Sequence, residues 1–336
     1  MIEFAIKNKS FKNNLSIRTI LSPINDHMKN VDLVIKNSLD SEIPIINKIS
    51  SHIINSGGKK LRPALHLLVA GWLGKINKKN YQLAAILEFI HTATLLHDDV
   101  VDESSRRRHI KTANSVYGNA ASVLVGDFLY SRSFQMMVDV NNMQVMKILA
   151  NTTNQISEGE ILQLININNL KINENDYINI VEYKTAKLFE ASCSLAAITN
   201  NAKSREIKKF TQLGNAFGLI FQIIDDILDY TGQEKKIGKK IGDDLSQGKV
   251  TLPVILALKN GSSAQKRTLK NILKEKNIKK LNQVINILEE TNALELTRDK
   301  AKGYFLIIQK IMGTYQANKY SDTLLKLAEY SINREI

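Results

Sequence analysis

Apolar residues recur at three- and four-residue spacing along almost the whole chain, the periodicity of helices that each bury one face. The pattern predicts helical stretches over 31–49, 65–73, 83–101, 120–138, 145–165, 177–198, 207–229, 252–258, 281–294 and 298–328, with breaks at Ser56-Gly57-Gly58, 166–175, Thr231-Gly232 and Asn260-Gly261. Strand-like alternation is scarce. The expectation is therefore an all-α protein, a single large domain over 1–336 built as a helical bundle around a central cavity, with 1–30 as a loosely ordered N-terminal segment. Two stretches, 83–96 and 217–224, are apolar on most of their circumference and read as helices inside the protein.

Each of these interior helices ends in carboxylates of identical spacing, Asp98-Asp99-Val100-Val101-Asp102 and Asp225-Asp226-Ile227-Leu228-Asp229. Residues i and i+4 share a helix face, so Asp98 pairs with Asp102 and Asp225 with Asp229, while Asp99 and Asp226 are rotated by about 100°. A carboxylate at the end of a buried helix loses hydration and needs a cation to stay ionised. All-oxygen ligation suits Mg²⁺ or Mn²⁺ and not zinc, which favours His and Cys, and magnesium commonly comes with phosphates. A single triplet of this kind is ordinarily a solvated helix end. Two in matching apolar settings point to a metal site.

Composition narrows the picture further. Of the 336 residues, 43% are hydrophobic, enough for a substantial core, and only 4 are Pro. The single Cys193 excludes an internal disulfide and fits a reducing, intracellular compartment. No uninterrupted apolar run reaches the roughly 18–20 residues that span a bilayer, and the first residues lack a secretory core, so the chain reads as soluble. A formal net charge of +13 raises the question of nucleic acid. The lysines, however, are scattered without interleaved aromatics, as on solvated helix faces, and no nucleic-acid partner is expected. Heavy use of Lys, Asn and Ile resembles the drift of an AT-rich genome, with a plastid stroma as the location if the chain is organelle-encoded and the cytoplasm otherwise.

Basic segments answer the carboxylates. Gly57-Gly58-Lys59-Lys60-Leu61-Arg62-Pro63 reads as a turn into a helix with Pro63 at its first position, where the dipole attracts anions and disfavours Lys59 and Arg62 unless an anion binds. Arg106-Arg107-Arg108 follows the first triplet; it would serve as a helix C-cap, or its forks would take phosphate bidentately. Lys184-Thr185, Gln222, Lys239-Lys240 and Lys249 add polar and positive groups near both triplets. His97-Asp98 leaves a metal-dependent phosphohydrolase as a second reading, one that needs more ligand histidines than the 6 in the chain and does not use the second triplet.

Taken in order, Gly57-Gly58-Lys59 with Arg62, the helix bearing His91, the first triplet, Arg107-Arg108, Lys184-Thr185, Phe221-Gln222 with the second triplet, and the Gly-Lys segment ending at Lys249 resemble the trans-isoprenyl diphosphate synthases of the polyprenyl synthetase family. The motifs run from about residue 51 to residue 253. The resemblance implies an all-α isoprenoid-synthase fold and a homodimer. It also implies a prenyltransferase that condenses isopentenyl diphosphate head-to-tail with an allylic diphosphate primer. Lys59, Arg62, His91 and Arg108 would hold isopentenyl diphosphate; Arg107, Lys184, Thr185, Gln222 and Lys239 or Lys240 would hold the allylic diphosphate. Asp98, Asp102 and Asp225, with Lys184, would be catalytic. Up to about three Mg²⁺ ions, replaceable by Mn²⁺, would sit among the six aspartates Asp98, Asp99, Asp102, Asp225, Asp226 and Asp229, Asp225 leading its triplet.

By the same resemblance the growing tail runs down the first triplet's helix. Ala93 and Thr94, one turn before Asp98, are small and permit a long product, with Phe89 a turn deeper as a possible limit. Two departures stand out. His109 and Lys111 occupy positions where family members commonly have Gly and Pro, and Lys240 occupies one where Pro is frequent, so the lysine assignment stays open. A non-catalytic partner subunit would have eroded aspartates, and a terpene cyclase would rarely keep Lys59, Arg62 and His91 together.

Overall fold

Every long apolar stripe becomes a helix, and the breaks between stripes fall where a proline, a cap or a left-handed residue stops the periodicity. The computed structural model describes residues 16–55, 57–107, 110–232 and 241–334. Ile17–Ile20 (α1) and Asn25–Ser38 (α2) precede Pro44–Asn55 (α3), Leu61–Leu73 (α4) and Lys78–Val101 (α5). A short antiparallel hairpin, Arg106–Arg107 (β1) with Ile110–Lys111 (β2), leads to Ala113–Tyr117 (α6), Asn119–Asp139 (α7) and Met143–Ile165 (α8). Glu174–Val181 (α9) passes through a π-helical turn at Glu182–Ala186 into Lys187–Thr199 (α10), and Ser204–Thr231 (α11) follows. Asp243–Gln247 (α12), Leu252–Asn260 (α13), Ser263–Glu275 (α14), Leu281–Glu290 (α15), Ala293–Met312 (α16) and Lys319–Asn333 (α17) come last.

The all-α architecture matches the periodicity. Helix α4 is buried from Leu61 through Trp72 except at Arg62, and α5 is buried along Leu83–Ile90 except at Glu88, so these two form the inner wall with α10 and α11. Phe89, Phe189, Phe210 and Phe217 are among the largest side chains with no exposed surface, each contributing about 2–3 kcal/mol of burial. Helix α5 is started by Asn77, whose side chain accepts from the N–H groups of Lys79 and Asn80. Asp102 caps its other end. The carboxylate triplet thus occupies the last turn of α5 because the helix stops there.

Four expectations are corrected. The stretch 31–49 is two helices, because Pro44 cannot continue α2 and instead opens α3. The stretch 298–328 breaks between Met312 and Lys319, where the Asn318 side chain caps α17. Residues 263–275, absent from the predicted helical stretches, form α14, which buries Leu269, Ile272 and Leu273 beneath outward lysines. Within the segment expected to be loose, residues 16–30 are largely helical and bury Ile20, Leu21 and Ile24; residues 1–15 lie outside the described residues. Among the described residues, no helix is long and apolar enough to cross a membrane.

Candidate active site

A cavity opens where the C-terminal end of α5 faces α8, α9, the π turn and α11. Its lining includes Asp98 and Asp102 from α5, Gln163 and Asn166 from the end of α8, Tyr177 from α9, Lys184 and Thr185 from the π turn, Gln222 and Asp226 from α11, Asp244 from α12, and Lys249. A π turn widens the helix by one residue and re-aims its side chains. Here it is gripped on both sides at glycines. A Cβ on Gly159 of α8 would lie 2.4 Å from the Lys184 nitrogen, and one on Gly218 of α11 would lie 2.6 Å from the Ala186 Cα. Backbone contact at both points fixes where Lys184 and Thr185 project.

Polar contacts tie the lining together. Lys184 Nζ donates to Glu160 Oε2 at 2.5 Å and to Gln163 Oε1 at 2.6 Å, and stands 3.8 Å from Asp98 Oδ1. Lys249 Nζ donates to Asp102 Oδ2 at 2.9 Å. Opposite, Thr185 Oγ1 donates to Gln222 Oε1 at 3.1 Å, Gln222 Nε2 donates to Asp226 Oδ1 at 2.8 Å, and Tyr177 Oη donates to Asp226 Oδ2 at 2.5 Å. Asp229 Oδ2 accepts from the Asp244 N–H at 3.1 Å and so anchors the start of α12.

Electrostatics mark the cavity as short of positive charge. Its described lining carries four carboxylates, Asp98, Asp102, Asp226 and Asp244, against two ammonium groups, Lys184 and Lys249. Burial, with Asp244 and Asp225 nearby, pushes the Asp226 carboxyl well above the usual carboxylate range despite its two hydrogen bonds. Burial and Asp98 push Glu160 up to about 7, with Lys184 opposing. Burial alone would lower Lys184, but Asp98 and Glu160 outweigh it and hold the ammonium above its ordinary value.

The donor set fits magnesium in the way that ion is usually held. Among the described residues no three carboxylate, histidine or thiol groups stand close enough to cage a metal by themselves. Mg²⁺ characteristically binds through one or two carboxylates plus substrate phosphates, and two facing banks of aspartate offer that arrangement.

The sequence reading and the structure part company at several residues. Asp98, Asp102, Lys184, Thr185, Gln222, Asp226 and Lys249 come together in the cavity. Asp225, expected to lead the second triplet, is not part of the lining; it forms an ion pair with Arg334. Asp99 turns away from the cavity into Arg107, whose Nε and Nη2 donate to Asp99 Oδ1 at 3.0 and 2.8 Å. Arg107 therefore lies in hairpin strand β1 with two of its five donors committed, not at a helix cap. Asp229 is buried behind the cavity. Pro63 is the third residue of α4, not the first, and the helix begins after Lys60 in a left-handed conformation at φ +41°.

Lys59, Arg62 and His91 lie apart from this lining. The Lys59 ammonium stands 5.6 Å from the Tyr330 ring and the Arg62 guanidinium 4.5 Å from that of Phe189, which packs on Phe221; Arg334 covers Phe221 in turn. This second, basic corner meets Asp225 through Arg334. Ala93 and Phe89 are fully buried in the core and Thr94 is half-buried, its Oγ1 donating to the His91 carbonyl at 2.8 Å. His97 turns to α7, its Nε2 3.2 Å from the Val123 carbonyl and 3.3 Å from Asp127, so the His-Asp doublet does not face the cavity. Arg108, Lys239 and Lys240 lie outside the described residues. Glu160, Gln163, Tyr177, Asp244 and Arg334 were not anticipated; of these only the Glu160/Gln163 pair carried a signal, an i,i+3 polar pair directly after a glycine, and on a helix with many other polar residues that signal is weak.

Comparison with known proteins identifies the family. The polyprenyl synthetase family model matches residues 43–290. Octaprenyl diphosphate synthase of Escherichia coli is 38% identical over 92% of this chain and 96% of its own. An all-trans-nonaprenyl-diphosphate synthase of Rhodobacter capsulatus is 38% identical over 94% and 97%. Among solved structures, a decaprenyl diphosphate synthase from Rhodobacter capsulatus superposes with a TM-score of 0.89 at 38% identity, covering 94% of this chain and 98% of that one. A polyprenyl synthase from Caulobacter crescentus, complexed with calcium and isoprenyl diphosphate, superposes with a TM-score of 0.92 at 34% identity, covering 97% and 100%. With the family model matching most of its length and these relatives nearly all of it, the chain belongs to the polyprenyl synthetase family of prenyl transferases.

Proposed function

We propose that this enzyme condenses isopentenyl diphosphate head-to-tail with an allylic diphosphate to give a long all-trans polyprenyl diphosphate. The observation that carries the reading is the cavity lined by Asp98, Asp102 and Asp226 together with Lys184 and Lys249. Octaprenyl and nonaprenyl synthases among the relatives support a long product.

Asp98 and Asp102 on one bank and the second triplet on the other would hold Mg²⁺ or Mn²⁺ with the allylic diphosphate, and the relative crystallised with calcium and isoprenyl diphosphate supports that pairing. When bound, the metal supplies Lewis-acid withdrawal of charge from the leaving diphosphate. Lys184, Thr185, Gln222 and Lys249, with Lys239 or Lys240 and the free donors of Arg107, orient that diphosphate and neutralise the charge it gains as the carbon–oxygen bond breaks. Isopentenyl diphosphate is assigned to the basic corner of Lys59 and Arg62, with His91, and to Arg108, which lies outside the described residues. Its double bond attacks the allylic cation, and the departed diphosphate takes the proton that is then lost. No protein nucleophile is required. The apolar walls of α5 and α11 keep water from the cation.

Product length is assigned to Ala93 and Thr94, with Phe89 below. Exposed Leu124, Phe134 and Val138 along α7 support a second copy of the chain packed there as a homodimer. The relatives named above are bacterial, so a plastid location rests on composition alone and is not part of the proposal. Incubation with Mg²⁺, isopentenyl diphosphate and a series of allylic primers, followed by sizing of the products, tests the reading; no elongation from any primer would sink it. In the same assay Ala93→Phe is expected to shorten the product, and an unchanged length overturns the floor assignment.

A further inference from the structure

Lys184 is held from behind as well as aimed forward. An ammonium has three donors, and two of them are fixed by α8, at 2.5 Å to Glu160 Oε2 and 2.6 Å to Gln163 Oε1. The third points toward Asp98, whose Oδ1 at 3.8 Å is beyond hydrogen-bond reach. Glu160 and Gln163 are i,i+3 neighbours on one face of α8, and Gly159 beside them brings that face against the Lys184 backbone. The side chains are mostly shielded, with 20% of Lys184 and 31% of Glu160 exposed.

A lysine on a flexible four-carbon stem beside Asp98 and Asp102 would otherwise collapse onto the carboxylates, and there it would occupy the ground on which a divalent cation has to stand. We propose that Glu160 and Gln163 are positioning residues that hold the Lys184 ammonium back from Asp98, leaving that carboxylate open to metal and one ammonium donor open to a diphosphate oxygen. This rests on the reading of Lys184 as a diphosphate ligand. The pair contributes no ligand of its own. It sets where the charge of Lys184 sits.

The test is calorimetric titration of inorganic diphosphate into the full chain across a Mg²⁺ series, beside steady-state kinetics. Glu160→Gln keeps the size of the side chain and removes its charge. It is expected to weaken diphosphate binding and raise the Mg²⁺ requirement about tenfold, as loss of a partner behind a ligand commonly does. In turnover it raises the allylic KM while kcat at saturating primer and Mg²⁺ stays within about threefold, and Gln163→Leu weakens diphosphate about threefold. The double variant Glu160→Gln/Gln163→Glu moves the charge to the neighbouring position and is expected to recover binding to within about threefold of the unaltered protein. Glu160→Gln binding like the unaltered protein, or a double variant no better than the single, overturns the proposal. If Glu160→Gln fails to fold, Gln163→Leu carries the same decision. Lys184→Met separates the two levels: unchanged diphosphate binding removes the Lys184 reading itself, whereas weakened binding beside a normal Glu160→Gln removes only the cradle.

Discussion

On α5, Asp98 and Asp102 face the cavity and the middle residue, Asp99, turns back into Arg107; on α11 the middle residue, Asp226, faces the cavity while Asp225 turns to Arg334 and Asp229 holds the start of α12. The two triplets have the same spacing, so the difference comes from the roll of each helix about its axis. That roll is set by packing, α5 against α4 and α7, α11 against α10 and α16. One residue of rotation, about 100°, exchanges an inward carboxylate for an anchored one. Spacing announces that a helix end carries charge. Partners decide what each charge does.

The widest separation between the two kinds of aspartate is in catalysis. Replacing the cavity-facing Asp98 by Ala is expected to lower kcat by roughly 10³-fold, since a metal contact contributes several kcal/mol to stabilising a departing diphosphate. Its fold should be intact by melting temperature. An Asp98→Ala enzyme with near-normal turnover would dissolve the distinction between the inward pair and the rest.

Asp99 is expected to behave in the opposite way. Asp99→Asn leaves Arg107 without its carboxylate and should cost about 2 kcal/mol of stability, less than a fully buried pair because 31% of the Arg107 side chain is exposed. Denaturant unfolding measures it, and the Mg²⁺ dependence of turnover should move less than the stability does. A larger change in Mg²⁺ dependence than in stability would place Asp99 among the metal contacts after all.

Much of this was legible beforehand, and what was not has physical reasons. The stripes on 83–101 and 207–229 gave the existence and type of α5 and α11, and the end of α5 at Val101, because a helix buried on most sides leaves no other reading of so apolar a run; the polar first turns, from Lys78 and from Ser204, lay outside the stripes. The triplets, Lys184-Thr185, Gln222 and Lys249 were identifiable as chemistry, and Asp98, Asp102 and Asp226 do meet Lys184, Thr185, Gln222 and Lys249 in the cavity. The roll of α11 was not, since a period of 3.6 fixes which residues share a face and not which face looks inward. The π turn at Glu182–Ala186 has no sequence mark of its own; it exists because Gly159 and Gly218, remote in sequence, admit its backbone. Arg334 reaches Asp225 across 109 positions, a tertiary contact that no local pattern encodes. Tyr177 read as one more apolar ring on a stripe, and its hydroxyl turned out to hold Asp226.

Tyr177 sharpens the comparison at an intermediate scale. It donates to Asp226 and to no aspartate of the first triplet. Tyr177→Phe keeps the ring and deletes the donor, and is expected to raise the Mg²⁺ requirement for turnover about tenfold through Asp226. An effect as large as that of Asp98→Ala would give the hydroxyl a direct part in the chemistry, and none would free Asp226 from dependence on it.

The smallest expected effect concerns the two middle residues without metal. Burial raises both carboxyls and neighbouring carboxylates reinforce it at both, Asp98 and Asp102 at Asp99 and Asp244 and Asp225 at Asp226; the difference is that the Arg107 charge opposes the rise at Asp99, whereas only hydrogen bonds oppose it at Asp226. A carboxyl whose folded pKa lies above its unfolded value favours folding fully below the unfolded value, here 3.8, and that contribution is lost as pH rises through the folded value. At neutral pH the metal-free protein therefore carries Asp226 as a strained charge or a retained proton. Asp226→Asn removes that penalty: the amide needs no proton, and the Tyr177 hydroxyl can rotate to meet it. The metal-free melting temperature at neutral pH should rise by about 1–3 °C, and its decline from pH 3.8 upward should flatten. Asp99→Asn should lower the melting temperature throughout that range. Should both substitutions shift stability in the same direction, the two middle aspartates would share one role, and the rotation of α11 relative to α5 would have no energetic consequence.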